Sequence, residues 1–183
     1  MPGNDDDEGF GVAVNASGEA FLTGSTRSTD LHTAGAFDVT NGGLQDAFAV
    51  RISADATSKV YGTYVGDTDR DIGYDIAVDS VNQAIVVGEP ASTGFPTGVA
   101  ADGGSLAYST FLGGSMNDQA NGVARDSGDA AHVAGTTASS NFPTGSVVAG
   151  WDTTLDGASD AFYVNLDPAI GGASGLLYST YLG

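Results

Sequence analysis

Aspartate is the residue type whose number and spacing in this sequence come closest to indicating chemistry. Calcium binds about six to eight oxygen ligands from a flexible loop, and alternating aspartates can supply several of them. The candidate ligands are Asp67, Asp69, Asp71 and Asp75 in DTDRDIGYD, together with Asp5 and Asp7 in NDDDEG. Ca²⁺ is therefore a candidate ligand, although no bidentate glutamate closes the first segment and its glycine falls one place later than in an EF-hand loop.

A structural role is the simpler interpretation of the same aspartates. Asp7, Asp71 and Asp118 occupy one column when three similar stretches of the chain are aligned. An aspartate that recurs just before a strand is typical of a turn cap, because its carboxylate accepts hydrogen bonds from nearby backbone N–H groups. The sequence favours this turn cap over a calcium site, and no cofactor is required.

Few other side chains have a spacing that indicates catalysis or ligand binding. His32 and His132 fall in different parts of the repeat, one in a loop and one in a strand, so no metal pair or catalytic dyad is expected. Trp151, the only tryptophan, stands in a loop where an exposed ring can stack on a sugar; packing between sheets is the favoured alternative. The chain has no Gly-x-Ser-x-Gly elbow, phosphate loop or dinucleotide fingerprint.

The charge of the chain excludes some classes of partner. The 183 residues include 23 Asp+Glu against 5 Lys+Arg, for a formal net charge of −18. Phosphate groups bind to basic surfaces, so neither nucleic acid nor an anionic membrane is an expected partner. No apolar run approaches the roughly 18 residues of a membrane helix, so membrane insertion is not expected. The acidity indicates either a charge that maintains solubility or an adaptation to salt and cations.

Three similar stretches organise the chain, beginning at Gly9, Gly73 and Ala120. Each predicts a short strand, a turn of small polar residues (NASG, DSVN or DSGD) and a second strand. Two stretches continue into an Asp-Ala-Phe segment, at 46–48 and 160–162, before a tyrosine-rich strand. The middle stretch has no such segment, and we expect it to lack a strand or to borrow one.

These repeats predict one repeat domain of three units, at residues 1–66, 67–113 and 114–183. The expected fold class is all-β, with about three β-propeller blades of up to four antiparallel strands. Side-chain alternation favours blades over a two-layer sandwich. In LLYSTYLG, alternation places Leu176 with Tyr178 on one face and an apolar residue on the other, so that both faces are apolar.

The repeated phrases resemble the bacterial SBBP repeat, a β-propeller repeat family, over nearly the whole chain. The matching segments are YSTFLGGSMND (108–118), YDIAVDS (74–80), FLTG (21–24), NFPTG (141–145) and DAF (46–48 and 160–162). The resemblance implies four-stranded blades, typically in secreted or cell-surface proteins without established catalysis. The chain differs from the family pattern in two places. The second unit has no DAF segment, and the first unit has LHTAGAF (31–37) where Phe-Pro-Thr is expected.

The favoured function is a non-catalytic extracellular or cell-surface scaffold or binding module for a protein or glycan, although no export signal is recognised in this chain. The alternative is a carbohydrate-active enzyme, a hydrolase or lyase with acidic residues at the mouth of the propeller channel. Assembly is also expected, because about three blades do not close a ring and an open stack leaves apolar faces exposed. The partner is then a second copy joined head to tail, or adjoining blades of a longer chain.

Overall fold

The computed structural model describes residues 3–91, 98–108, 110, 112–144, 151–170 and 172–183, which form three antiparallel sheets of four strands. Sheet 1 contains β1 (Asp7–Val14), β2 (Ala20–Thr26), β3 (Asp46–Ile52) and β4 (Lys59–Val65). Sheet 2 contains β5 (Asp71–Val78), β6 (Ala84–Pro90), β7 (Gly98–Val99) and β8 (Leu106–Tyr108). Sheet 3 contains β9 (Asp118–Arg125), β10 (Ala131–Thr137), β11 (Asp160–Leu166) and β12 (Leu176–Leu182), the last preceded by a 3₁₀ turn at Gly172–Gly175.

Strands that follow one another in the chain are neighbours in each sheet, so the prediction of an all-β fold with repeated antiparallel sheets is confirmed. The expectation that the second unit lacks a strand is wrong. β7 takes the third position and pairs with both β6 and β8, because ladder pairing needs backbone groups and not the Asp-Ala-Phe motif. Parts of the predicted Phe-Pro-Thr-Gly segments (95–97 and 145) lie outside the described residues, as do Ser109 and Phe111 of the tyrosine-rich phrase.

The first hairpin of each unit is formed by its turn chemistry, as the sequence predicts. A side-chain oxygen of the residue that opens the turn accepts two backbone N–H groups further along it; these residues are Asn15, Asp79 and Asp126. The residues with left-handed backbone are Gly18, Asn82 and Asp129, with φ values of 82°, 67° and 66°. Glycine, asparagine and aspartate adopt this conformation more readily than other residues.

Sheet 2 lies between the other two sheets and is buried on both faces. β5 packs against sheet 1, and β9 of sheet 3 packs against β5 and β6. Ile76 and Val86 belong to the cluster shared with sheet 1, whereas Ile85 and Val87 belong to the cluster shared with sheet 3. Successive side chains of a strand point to opposite faces, which explains this division. Sheet 2 therefore holds the two halves of the core together.

A β-bulge between β11 and β12 places one side chain on the opposite face of the sheet from the face that simple alternation predicts. Alternation places Leu176 and Tyr178 on the same face of β12. The register with β11 instead shifts between Asn165 and Leu166, so that Leu176 pairs with Leu166 and Tyr178 pairs with Asn165. A bulge adds one residue and inverts the faces beyond it. The prediction for Leu176 is consequently wrong, and its side chain packs on the cluster between sheets 2 and 3.

Ala56, in the turn between β3 and β4, has a φ of 56°, which costs a non-glycine residue about 1–2 kcal/mol. Gly103 holds the corresponding place between β7 and β8, with a φ of 74°. We expect Ala56→Gly to raise the free energy of unfolding by about 1 kcal/mol, measured by thermal and denaturant unfolding. Gly103→Ala is the opposite control, because its Cβ would lie 2.4 Å from the ring of Tyr61. An unchanged or lowered stability of Ala56→Gly would contradict this account.

Candidate functional site

Two of the recurring aspartates cap the turn that precedes their strand. The Oδ2 atom of Asp71, which is fully buried, accepts the N–H of Asp67 at 3.1 Å. Asp118 accepts the N–H of Gly114 at 2.6 Å in the same way. Each carboxylate therefore satisfies a backbone donor four residues earlier in the chain, which is the geometry of a cap.

The other predicted calcium ligands are spread over the fold. Asp7 accepts the hydroxyl groups of Thr26 and Ser28. Asp75 accepts two N–H groups at 2.9 Å, those of Ile76 and Val123. The exposed members of the set are Asp5, Asp67 and Asp69, together with Asp7. In the part of the chain that the structure describes, no three His, Cys, Asp or Glu side chains are grouped so that they could hold a metal ion.

One pair of carboxyl groups does meet, and sequence reasoning missed it. Asp46 begins β3 and Asp71 begins β5, and both side chains are fully buried. Oδ1 of Asp46 and Oδ2 of Asp71 lie 3.0 and 2.9 Å from the point where a Cβ on Gly66 would stand. Burial raises the pKa of the Asp46 carboxyl from 3.8 to about 6, and the negative charges of Asp71 and Asp38 add to the rise. A sequence clue existed, since each aspartate is the first residue of a strand.

Trp151 is 84% exposed, so its ring does not pack between sheets of this chain. Its backbone N–H donates to the hydroxyl of Tyr178 at 3.1 Å. Its position in unit 3 corresponds to that of Phe37 in unit 1, as judged by sequence and by hydrogen bonds. In both units the following residue, Asp152 or Asp38, donates its N–H to a threonine Oγ1 of the unit's last strand. Trp151 is therefore available for contact with another molecule.

The two histidines lie apart, His32 in the loop between β2 and β3 and His132 on β10, as their positions in the repeat indicate. The His32 ring is 6.1 Å from that of Tyr64 in sheet 1. His132 is on sheet 3, where its ring nitrogens contact the Tyr163 hydroxyl at 2.7 Å and the Asp126 carboxylate at 3.3 Å. Neither arrangement brings the histidines together as a metal pair or a dyad.

Two sheet faces have no other sheet against them in the described residues. The open face of sheet 3 consists of cross-strand partners on β10, β11 and β12, namely His132, Tyr163, Asn165, Tyr178 and Thr180. The open face of sheet 1 consists of Val12, Val14, Leu22, Val50 and Ile52. Val12 and Val14 are 65% and 61% exposed. Exposed apolar side chains that are neighbours on one face are typical of an interaction surface.

The contact between sheets 1 and 2 shows how a surface equivalent to the open face of sheet 3 is covered by another sheet. Tyr61 holds the place in unit 1 that Tyr178 holds in unit 3, and it is 1% exposed under sheet 2. Gly103 of sheet 2 lies against the Tyr61 ring, and its carbonyl accepts the N–H of Phe37 at 2.6 Å. Tyr178 is half-buried and Trp151 is exposed, so the same interface surface recurs on sheet 3 without a sheet against it among the described residues.

An apolar cavity of about 330 Å³ lies between sheets 2 and 3. Its walls include Val87, Tyr108, Leu112, Val133 and Leu166. Two carboxylates, Glu89 and Asp118, also line the cavity. Glu89 accepts the hydroxyl of Tyr74 at 2.9 Å, and Asp118 accepts the N–H of Gly114. Both carboxylates thus have hydrogen-bond partners within the fold.

No family model matches the chain, and no curated protein matches its sequence. The resemblance to the SBBP repeat therefore stays a prediction that rests on the repeated motifs. None of the helices formed by the described residues has the length and apolar character needed to cross a membrane.

Proposed function

We propose that this chain is a non-catalytic scaffold and binding module of the β-propeller type, in which sheets of two copies stack head to tail. The observation that carries the proposal is the repeat equivalence of Tyr61 and Tyr178. Sheet 2 buries the first of them, whereas the second is half-buried on an open face. A second copy that covers Tyr178 as sheet 2 covers Tyr61 repeats an interface that already exists within the chain.

The open face of sheet 1 has the side chains required to provide this cover. Sheet 2 presents Ile76, Val86 and Val99 to sheet 1. The equivalent positions on the open face of sheet 1 hold Val12, Leu22 and Ile52; Ile52 pairs with Ala20 as Val99 pairs with Ala84. All are aliphatic, and burial of apolar area is the main driving force of such contacts, at about 25 cal/mol per Å².

Two copies joined in this way supply six sheets, three from each chain. A head-to-tail contact leads to a closed ring when its rotation returns to the start, and otherwise to an open filament. We favour the ring, because closure leaves no apolar face in water. The exposed Trp151 ring then stands beside the junction, where it is suited to contact a glycan or protein ligand.

We place this module outside the cell or at the cell surface. The support is the resemblance to the SBBP repeat, whose members are typically secreted or cell-surface proteins. The acidic composition agrees with this location as a charge that maintains solubility. The charge of −18 also opposes contact between copies, so association should depend on salt.

We expect the chain to form dimers or larger assemblies whose fraction rises with protein concentration and with salt. At about 1 M salt the Debye length falls to about 3 Å, which screens the repulsion while leaving apolar contact in place. Sedimentation velocity and light scattering over a range of concentration and sodium chloride measure this directly. A monodisperse monomer under all of these conditions contradicts the head-to-tail proposal.

The non-catalytic part of the proposal has a separate test. A screen of polysaccharides for turnover, run beside a glycan-binding array, distinguishes a binding module from a hydrolase or lyase. Turnover that a single Asp→Asn substitution abolishes would overturn the scaffold assignment. Binding without turnover, lost in Trp151→Ala, supports it.

A further inference from the structure

The strongest unexplained feature of the molecule is the pair of buried carboxyl groups formed by Asp46 and Asp71, which we call the carboxyl pair. Oδ2 of Asp46 accepts the N–H of Gly42 at 2.9 Å. Its Oδ1 is buried and has no hydrogen-bond partner among the described residues. None of the ion pairs of the described residues includes Asp46. A buried carboxylate oxygen without a partner is costly, so its retention needs a reason.

Backbone carbonyl oxygens lie close to the loop that leads into Asp46. The loops that lead into Asp46 and Asp71 pack directly on each other. A Cβ on Gly43 would lie 2.0 and 3.0 Å from the carbonyl oxygens of Asp69 and Asp67. Carboxylate and carbonyl oxygens are the ligands preferred by hard cations such as Ca²⁺. A cation beside two ionised carboxylates removes the repulsion between them and the cost of the unpaired oxygen.

We propose that the carboxyl pair binds one divalent cation of the calcium class at the junction between units 1 and 2. Asp46 supplies Oδ1, Asp71 supplies its carboxylate, and backbone carbonyls and water complete the shell. Two carboxylates are few for calcium, so the expected affinity is that of weak extracellular sites, about 10⁻⁴ to 10⁻³ M. Asp46 is absent from the aspartate-rich segments that the sequence singles out, and the inference does not depend on head-to-tail stacking.

The repeat supplies a matched control. Asp160 begins β11 as Asp46 begins β3, and its Oδ2 caps the chain in the same way, accepting the N–H of Asp156 at 2.8 Å. A Cβ on Gly183 would lie within 3 Å of the Asp160 carboxyl group, as a Cβ on Gly66 would lie within about 3 Å of the Asp46 carboxyl group. The three atoms nearest to a Cβ on Gly66 belong to Asp46 and Asp71, whereas the three nearest to a Cβ on Gly183 all belong to Asp160. Asp46→Asn and Asp160→Asn therefore change the charge of the chain equally, but only Asp46→Asn alters the carboxyl pair.

The test is thermal unfolding of the full chain after treatment with a chelator, at low protein concentration. We expect about 10 mM CaCl₂ to raise the Tm of the unmodified chain and of Asp160→Asn by about 3 to 6 °C, relative to NaCl of equal ionic strength. Asp46→Asn should lose this shift, and so should Asp71→Asn; in both variants the amide oxygen can still accept the backbone N–H. A chain without a calcium-dependent shift, or an equal shift in Asp46→Asn, overturns the proposal.

Discussion

Tyr61→Ala should lower mainly the stability of the chain and Tyr178→Ala mainly its self-association, although the two tyrosines hold the same position of the repeat. Tyr61 is 1% exposed, and its ring meets that of Phe21 edge-on at 6.4 Å between centroids. Its truncation should lower the free energy of unfolding by about 3–5 kcal/mol, as for other large buried aromatics. Tyr178 is half-buried on the open face of sheet 3, so its truncation should cost about 1 kcal/mol or less and should weaken self-association instead.

Denaturant unfolding and sedimentation velocity of both variants separate these outcomes. Tyr61→Phe is the control for the Tyr61 ring, because the buried Tyr61 hydroxyl has no hydrogen-bond partner among the described residues. Removal of that hydroxyl should leave stability unchanged or slightly raised. Equal losses of stability in Tyr61→Ala and Tyr178→Ala, or unchanged association in Tyr178→Ala, would show that the two faces are not equivalent surfaces.

Phe142→Ala should be as damaging as Tyr61→Ala. Phe142 is 3% exposed and stacks on Phe162 with ring centroids 4.5 Å apart. The Phe142 N–H also donates to the buried Tyr181 hydroxyl at 3.1 Å. Truncation of the ring leaves a cavity inside the cluster between sheets 2 and 3 and should cost about 3–5 kcal/mol of unfolding free energy, measured in urea.

Leu31→Ala is the matched variant for Phe142→Ala. Leu31 lies in LHTAGAF, the segment that differs from the expected Phe-Pro-Thr. Its N–H nevertheless donates to the Tyr64 hydroxyl at 3.1 Å, as the N–H of Phe142 does to the Tyr181 hydroxyl. Leu31 is only half-buried, so its truncation should cost about 1 kcal/mol. A loss as large as that of Phe142→Ala would mean that the face of sheet 1 beside Leu31 is covered in solution, for example by a second copy.

Much of the fold could be predicted from local sequence. Turn residues act on their own backbone, so NASG, DSVN and DSGD were sufficient to predict three hairpins. The aspartate column predicted caps, and the structure places caps at Asp71 and Asp118. Apolar residues on both faces of the strands predicted sheets that are covered on both sides. Sheet 2 is such a sheet, because it lies between the two others.

Other features depend on pairing between segments and could not be predicted in this way. The bulge opposite Leu166 moves Leu176 to the other face of β12, and no residue in LLYSTYLG marks that shift. β7 forms a third strand without the Asp-Ala-Phe motif. Leu31 replaces the expected phenylalanine because the backbone contact with a tyrosine hydroxyl is independent of the side chain that makes it.

The sequence by itself determined the repeat, its antiparallel strands, its turns and its acidic character, because each of these follows from residues close together in the chain. The tertiary structure decided which equivalent residues are buried and which are open. Tyr61 and Tyr178 differ only in whether another sheet lies against them, and Asp46 meets Asp71 only because two loops pack together. Burial and charge proximity are properties of neighbours in space, so the candidate sites of this protein emerge only at that level.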